Sequence, residues 1–156
     1  MGDKKRNTEF ADFIIKQFPK AKTVLVVADG KGELARKLAN KGLQVRVIEA
    51  KARWEGKPHK NVNYQKGWFT ADTIVEEDLI VGLHPDAATG EILLAAQTQK
   101  KPFAIVPCCT LGRYSEGLKK VSYGEWIKKL VSLFHCEQWD LHISGRSTVL
   151  FRKGWS

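Results

Sequence analysis

The stretch Thr23-Val24-Leu25-Val26-Val27-Ala28-Asp29-Gly30-Lys31-Gly32 limits what this chain can fold into more than any other part of it. An apolar run rich in β-branched residues suits a strand buried on both faces, the situation of a central strand in a parallel sheet. Two glycines one residue apart then remove the side chains that would hold a ligand away from the backbone. After Gly32, Leu34, Ala35, Leu38 and Ala39 mark one face of a helix, and Gly42 is placed to cap its C-terminus. Gln44 to Glu49 reads as a second strand. The result is one complete β-α-β unit whose helix opens with unpaired N–H groups at the glycine turn.

The alternation continues along the chain. Phe10, Phe13, Ile14 and Phe18 recur at helical spacing from Asn7 until Pro19, so an amphipathic helix flanks the first strand. Residues 1–7, with Asp3-Lys4-Lys5-Arg6, read as a flexible, solvated segment without a function. Val62 to Gln65 forms a short strand after an irregular stretch broken by Gly56 and Pro58. Asp78 to His84 is a further strand ended by Pro85, followed by a helix over Ala87 to Gln99 and a buried strand over Pro102 to Val106. Ser122 and Glu125 have capping-box spacing ahead of Trp126, Ile127, Leu130, Val131 and Phe134. Trp139 to Ile143 and Thr148 to Phe151 are close enough to pair as an antiparallel hairpin.

Strands alternating with helices predict an α/β fold: a single domain over residues 1–156, a mostly parallel sheet with helices on both faces, and a C-terminal antiparallel hairpin. Ligands of such sheets bind beyond the strand C-termini, so the loops after Val27, Ile48, Leu83 and Val106 define the functional edge. No window holds the eighteen or so apolar residues of a membrane span, and the charged N-terminus lacks the apolar stretch of a signal peptide. Three cysteines, Cys108, Cys109 and Cys136, are an odd set without framework spacing, which suggests reduced thiols and a cytoplasmic protein. A net charge of +9 makes a polyanionic partner plausible, beside the plainer reading of a merely basic protein.

Glu49, at the end of the second strand, is positioned to hydrogen-bond the ribose hydroxyls of a nucleoside seated on the glycine turn. The plainer alternative is that the glycines only permit tight strand–helix packing. Val-Leu-Val-Val-Ala-Asp-Gly-Lys-Gly-Glu-Leu-Ala followed by Val-Ile-Glu resembles motifs I and II of S-adenosylmethionine-dependent methyltransferases. Gly82-Leu83-His84-Pro85-Asp86-Ala87-Ala88-Thr89 and Pro107-Cys108-Cys109 are similar to segments of a subgroup that includes tRNA 2′-O-methyltransferases. The layout resembles that fold from Lys22 to Lys153, whereas residues match only in these four segments. The resemblance implies a Rossmann-like methyltransferase domain with S-adenosylmethionine as cofactor, held by Asp29, Gly30, Gly32, Glu49, His84 and Pro85. It also implies methyl transfer beside His84 and Cys108. One position departs from the pattern: where the family carries an acid two residues before its first glycine, this chain has Val26, and Ala28 replaces that glycine. Either Asp29 takes over contact with the cofactor's ammonium or cofactor binding is weakened.

Methyl transfer from a sulfonium chiefly requires nucleophile and methyl group to be held in line. His84 would serve as base or orient the substrate, or else cap its strand end. Cys108 and Cys109 lack metal-ligand spacing and, as neighbours, are expected to point apart, so no metal site is predicted. Attack by a cysteine on a pyrimidine ring would need an activated thiolate. The simplest reading has both cysteines as small buried residues shaping the pocket floor. Basic and aromatic residues interleave through Arg53, Trp54, Lys57, His59, Lys60, Tyr64, Lys66, Trp68 and Phe69, and again through Arg113, Tyr114, Lys119 and Lys120. Such mixtures suit phosphate contact and base stacking, or a solvated face with a few aromatics returning to the core. The expected function is therefore an S-adenosylmethionine-dependent methyltransferase acting on RNA, tRNA included. The alternatives are a catalytically inactive methyltransferase-like module binding RNA or a protein partner, and a nucleotide-dependent enzyme such as a dehydrogenase.

Overall fold

The computed structural model describes residues 4–51, 53–54, 56–118 and 122–155. Seven strands form one sheet: β1 (Thr23–Val27), β2 (Gln44–Glu49), β3 (Val62–Lys66), β4 (Leu79–Leu83), β5 (Phe103–Val106), β6 (Glu137–Asp140) and β7 (Thr148–Arg152). Their order is β3-β2-β1-β4-β5-β7-β6. The five from β3 to β5 are parallel, and β7 runs antiparallel to both β5 and β6. The helices are α1 (Arg6–Gln17), α2 (Glu33–Asn40), α3 (Thr89–Gln99) and α4 (Tyr123–Phe134).

Strand pleat decides which helix packs where. Val24 and Val26 of β1 point into a cluster with Phe10, Phe13 and Ile14 of α1 and Leu34 and Leu38 of α2. Leu25 and Val27 point the other way, against Ile92 and Leu93 of α3 and Trp126 and Leu130 of α4. Two helices thus cover each face, as the alternation of strands and helices implied. Ser122 Oγ accepts the Glu125 N–H at the start of α4, so the expected cap is in place. At the far edge β6 is exposed along its length and carries Glu137 and Asp140, charges that discourage a further strand from pairing there.

Three boundaries differ from expectation. The hairpin's first strand begins at Glu137 and ends at Asp140, where it pairs with Thr148. Leu141 then turns inward to fill the α1–α2 side of the core, leaving a longer loop over 141–147. The helix expected from Ala87 opens instead as a 3-10 turn over Asp86–Ala88, and α3 begins at Thr89. Arg6, expected in a flexible segment, lies within α1, one residue before the expected helix start at Asn7.

Candidate functional site

The parallel strands all end at one edge, and there the loops after β1, β2, β3, β4 and β5 meet the first turn of α1 and the 141–147 loop around a cleft of about 1570 Å³. It is lined by Ala28, Asp29, Gly30, Glu49, His84, Pro85 and Cys108, all placed on this edge by the sequence. A volume above the usual ligand-pocket range leaves room for two molecules side by side.

The ladder between β1 and β2 runs to the Ala28 N–H, which donates to the Ile48 carbonyl, and the chain then turns sharply. Ala28 sits at φ +61°, in the left-handed region that disfavours a residue with a Cβ. Glu49 is buried, and its two oxygens accept N–H groups from Gly30 at 2.7 Å and Lys51 at 3.0 Å. The carboxylate is thereby fixed with lone pairs to spare for a ligand in the cleft.

Asp29 has a structural task that its position in the sequence did not reveal. Its carboxylate accepts the N–H groups of Leu34 and Ala35 at 3.2 and 2.9 Å, capping α2. Burial raises its pKa to about 7 and outweighs the two backbone hydrogen bonds and the Arg36 charge, which act in the opposite direction; the Glu49 carboxylate adds a smaller push upward. Gly32 lies off the cleft. A Cβ there would approach the rings of Tyr64 and Trp54 at 3.1 and 3.5 Å, and its φ is +85°. The glycine admits this aromatic pair, whose ring centroids are 4.7 Å apart, against the outside of the turn.

On the opposite wall, His84 is held by both ring nitrogens. Nδ1 lies 3.3 Å from Arg6 Nη1, and Nε2 lies 3.1 Å from the Arg146 carbonyl oxygen. A guanidinium only donates and a carbonyl only accepts, so Nδ1 is the acceptor and Nε2 carries the proton. Burial, joined by the Arg6 charge, holds the imidazole's pKa below its ordinary value despite the Arg146 carbonyl. The ring is therefore neutral and engaged, an arrangement that positions neighbouring groups and leaves neither nitrogen turned to a substrate. Pro85 is buried behind it.

Cys108 is half-buried, and its thiol donates to Asp86 Oδ1 at 3.0 Å. Burial and that neighbouring carboxylate push the thiol up to about 12, so nothing here activates it as a nucleophile. Cys109 is exposed, which corrects its expected place in a buried floor. The expectation that the two thiols point apart also fails. The chain leaves extended strand geometry at Val106, and both sulfurs face the Asp86 carboxylate.

The loops carrying these groups are tightly joined. A Cβ on Gly112 would strike the Ala87 carbonyl oxygen, and one on Gly90 would lie 2.6 Å from that of Arg113. Arg113 Nε also donates to Glu91 Oε2 at 2.6 Å, and the Tyr123 hydroxyl donates to the Pro107 carbonyl at 2.7 Å. Of the expected phosphate contacts, Arg53 is exposed and lines the cleft, whereas Lys57 and Lys60 lie exposed on the loop beyond it. Arg113 is committed to its ion pair, and Lys119 and Lys120 fall outside the described residues. Sequence reading missed Arg6, Glu33, Lys51 and Arg146, which also line the cleft. The helical position of Glu33 was visible, but the other three are ordinary surface residues until the fold brings them together.

No protein-family model matches the chain, and neither does any curated protein. Its fold is similar to that of a candidate RNA methyltransferase of Pyrococcus horikoshii, with TM-score 0.61, 12% identity, and 94% of this chain and 80% of that one covered. A candidate S-adenosyl-L-methionine-dependent methyltransferase of Methanococcus maripaludis gives TM-score 0.57 and 12% identity over 91% of this chain and 82% of that one. A candidate methyltransferase from an antibiotic biosynthesis pathway of Anabaena variabilis gives TM-score 0.58 and 15% identity. That match covers 85% of this chain, which spans 63% of the Anabaena protein's length. At these identities the likeness shows a shared fold. Among the described residues no helix is long and apolar enough to cross a membrane.

Proposed function

We propose that the chain is an S-adenosylmethionine-dependent methyltransferase acting on RNA. The observation that carries the cofactor part is Glu49, fixed by the Gly30 and Lys51 N–H groups at the floor of the cleft, where its free lone pairs suit the ribose hydroxyls of a nucleoside. The site passes a simple test of fit. A Cβ on Gly30 would meet only the end of the Arg53 side chain, so the backbone is open to a ligand. Ile48, Ala50 and Phe69 offer apolar surface for an adenine ring. When bound, the cofactor supplies an electrophilic methyl group.

Asp29 and Gly32 contribute to this site at one remove, by holding the turn. For the ammonium of the amino-acid end, Glu33 is the better partner. It stands in the first turn of α2 and lines the cleft, with one carboxylate oxygen accepting from Asn7 Nδ2 at 2.9 Å. Arg6 and Arg53 suit the carboxylate of the same group. His84 and Pro85 shape the acceptor side, and His84 acts as a positioning residue rather than a base. Cys108 lines the same wall.

The RNA reading rests on how charge is distributed. The acids Asp29 and Glu49 lie on the floor, while Lys51, Arg53 and Arg146 stand exposed at the rim beside Trp68, an indole 79% exposed. Phosphates meet the cations and a splayed base stacks on the ring. Calorimetry with S-adenosylmethionine and its demethylated product tests the cofactor; absence of binding at saturating ligand sinks it. Binding of unmodified tRNA that weakens steeply with salt supports the substrate class, and salt-independent or absent binding removes it. The use of Asp29 as a helix cap favours a second reading, an inactive methyltransferase-like module. That reading predicts cofactor-independent RNA or protein binding and no methyl transfer to any cellular RNA fraction.

A further inference from the structure

We propose that Asp86, Cys108 and Cys109 form a binding site for one thiophilic divalent cation, with zinc the ion that fits best. The carboxylate oxygen and two sulfurs lie within 4.8 Å of one another, and Cys108 Sγ is 3.0 Å from Asp86 Oδ1. Tetrahedral zinc bonds sulfur at about 2.3 Å and carboxylate oxygen at about 2.0–2.2 Å, which puts donor atoms roughly 3.4–3.8 Å apart. The donors, 3.0 Å apart for Cys108 Sγ and Asp86 Oδ1 and nowhere more than 4.8 Å, bracket that spacing. Two thiolates select zinc over magnesium or calcium, which take oxygen ligands. On binding, each thiol yields its proton to solvent as its sulfur–metal bond forms.

The cluster is built across two loops. Asp86 comes from the turn after β4 and the cysteines from the chain after β5, 22 residues further on from Asp86 to Cys108. Backbone packing of Gly112 on Ala87 and of Gly90 on Arg113 leaves no slack between those loops, so the donors are brought together before any ion arrives. Asp86 is held at φ +51°, a conformation an aspartate adopts at a cost, and its carboxylate accepts the Cys108 thiol. Cys109 and Asp86 are exposed and Cys108 lines the cleft, so an ion has an entry path. Three protein ligands leave a fourth position for water or for an acceptor group from the cleft. Adjacent cysteines without a second pair are not a zinc signature in sequence, and the third donor becomes visible only in the fold.

The site does not depend on the methyl-donor reading, because metal retention is measured with no nucleoside present. The full chain, purified under reductant, is incubated with excess zinc, passed over a desalting column with a weak chelator, and assayed for zinc by mass spectrometry. About one zinc per chain is expected, falling at least about tenfold in the Cys108→Ser/Cys109→Ser double variant and in Asp86→Asn. Cobalt(II) added to the unaltered chain should give thiolate-to-metal charge-transfer absorption, a readout that needs no variant to fold. The proposal is overturned if no metal is retained, if the double variant retains as much as the parent, or if cobalt shows no thiolate absorption. It is also overturned if Cys108 and Cys109 are recovered only as a disulfide under reductant.

Discussion

The two walls of the cleft are held by different means. On the proposed cofactor side, the turn after β1 and the end of β2 are joined by carboxylates accepting backbone N–H groups: Glu49 on Gly30 and Lys51, Asp29 on Leu34 and Ala35. On the proposed acceptor side, the loops after β4 and β5 are joined by glycine backbone pressed against backbone, at Gly112 with Ala87 and Gly90 with Arg113. Hydrogen bonds to an acid can share that acid with an incoming hydroxyl. Steric contact shares nothing and permits no drift. One wall is thus suited to exchange ligands, the other to hold its occupant at fixed distance, which is what the in-line displacement of the proposed methyl transfer demands.

Substitutions on either wall should break this contrast or sharpen it. The largest effect is expected from Gly112→Ala, where the new Cβ meets the Ala87 carbonyl and φ is +76°. Denaturant unfolding should show a loss of about 4 kcal/mol or more, enough to threaten folding; a loss below about 1 kcal/mol would mean the acceptor wall yields. Next comes Asp29, whose carboxyl moves from 3.8 to about 7 on folding. An acid with a raised folded pKa binds more protons folded than unfolded between those values. Its stabilising contribution is full below about pH 4 and is lost as pH rises through about 7, to a limit of about 4 kcal/mol. Relative to the parent, Asp29→Asn should therefore gain melting temperature between pH 5 and pH 8; an unchanged difference would refute the buried carboxyl. Glu49→Gln should weaken S-adenosylmethionine binding about 10- to 100-fold by calorimetry, a change of about 1.4–2.8 kcal/mol. Ala28→Gly should relieve the left-handed strain and add about 1 kcal/mol of stability by the same unfolding measurement. The smallest stability change, within about 0.5 kcal/mol, belongs to Arg53→Ala at the exposed rim, where RNA affinity and its salt slope should fall instead.

The same contrast explains how much could be seen in the sequence. Val24 to Val27, the glycine turn and the acid ending β2 are local signals, and the fold followed from their repetition along the chain. The proposed cofactor floor was legible for the same reason: Glu49 is 19 residues from Gly30, within one β-α-β unit. The capping task of Asp29 was not visible because its N–H partners lie five and six residues further along the chain. The proposed acceptor wall was legible only in part: His84, Pro85 and Cys108 were placed on it, but the contacts that fix its loops were not. Gly112 is an unremarked loop glycine until Ala87 is set against it, and the two thiols were expected to point apart because strand alternation was carried past the point where the strand ends. Arg6 was set aside with a charged terminus, yet it contacts an imidazole 78 residues away.

That imidazole ties the first helix to the last hairpin. Through His84, α1 and the 141–147 loop meet across separations of 78 and 62 residues. During synthesis, therefore, β1 to β5 can emerge and begin to collapse while the cleft is still unfinished, since Arg146 has yet to leave the ribosome. Contacts of such long span close late in folding. A ligand that needs the finished cleft can protect the completed protein from unfolding, but it has no means of rescuing the nascent one.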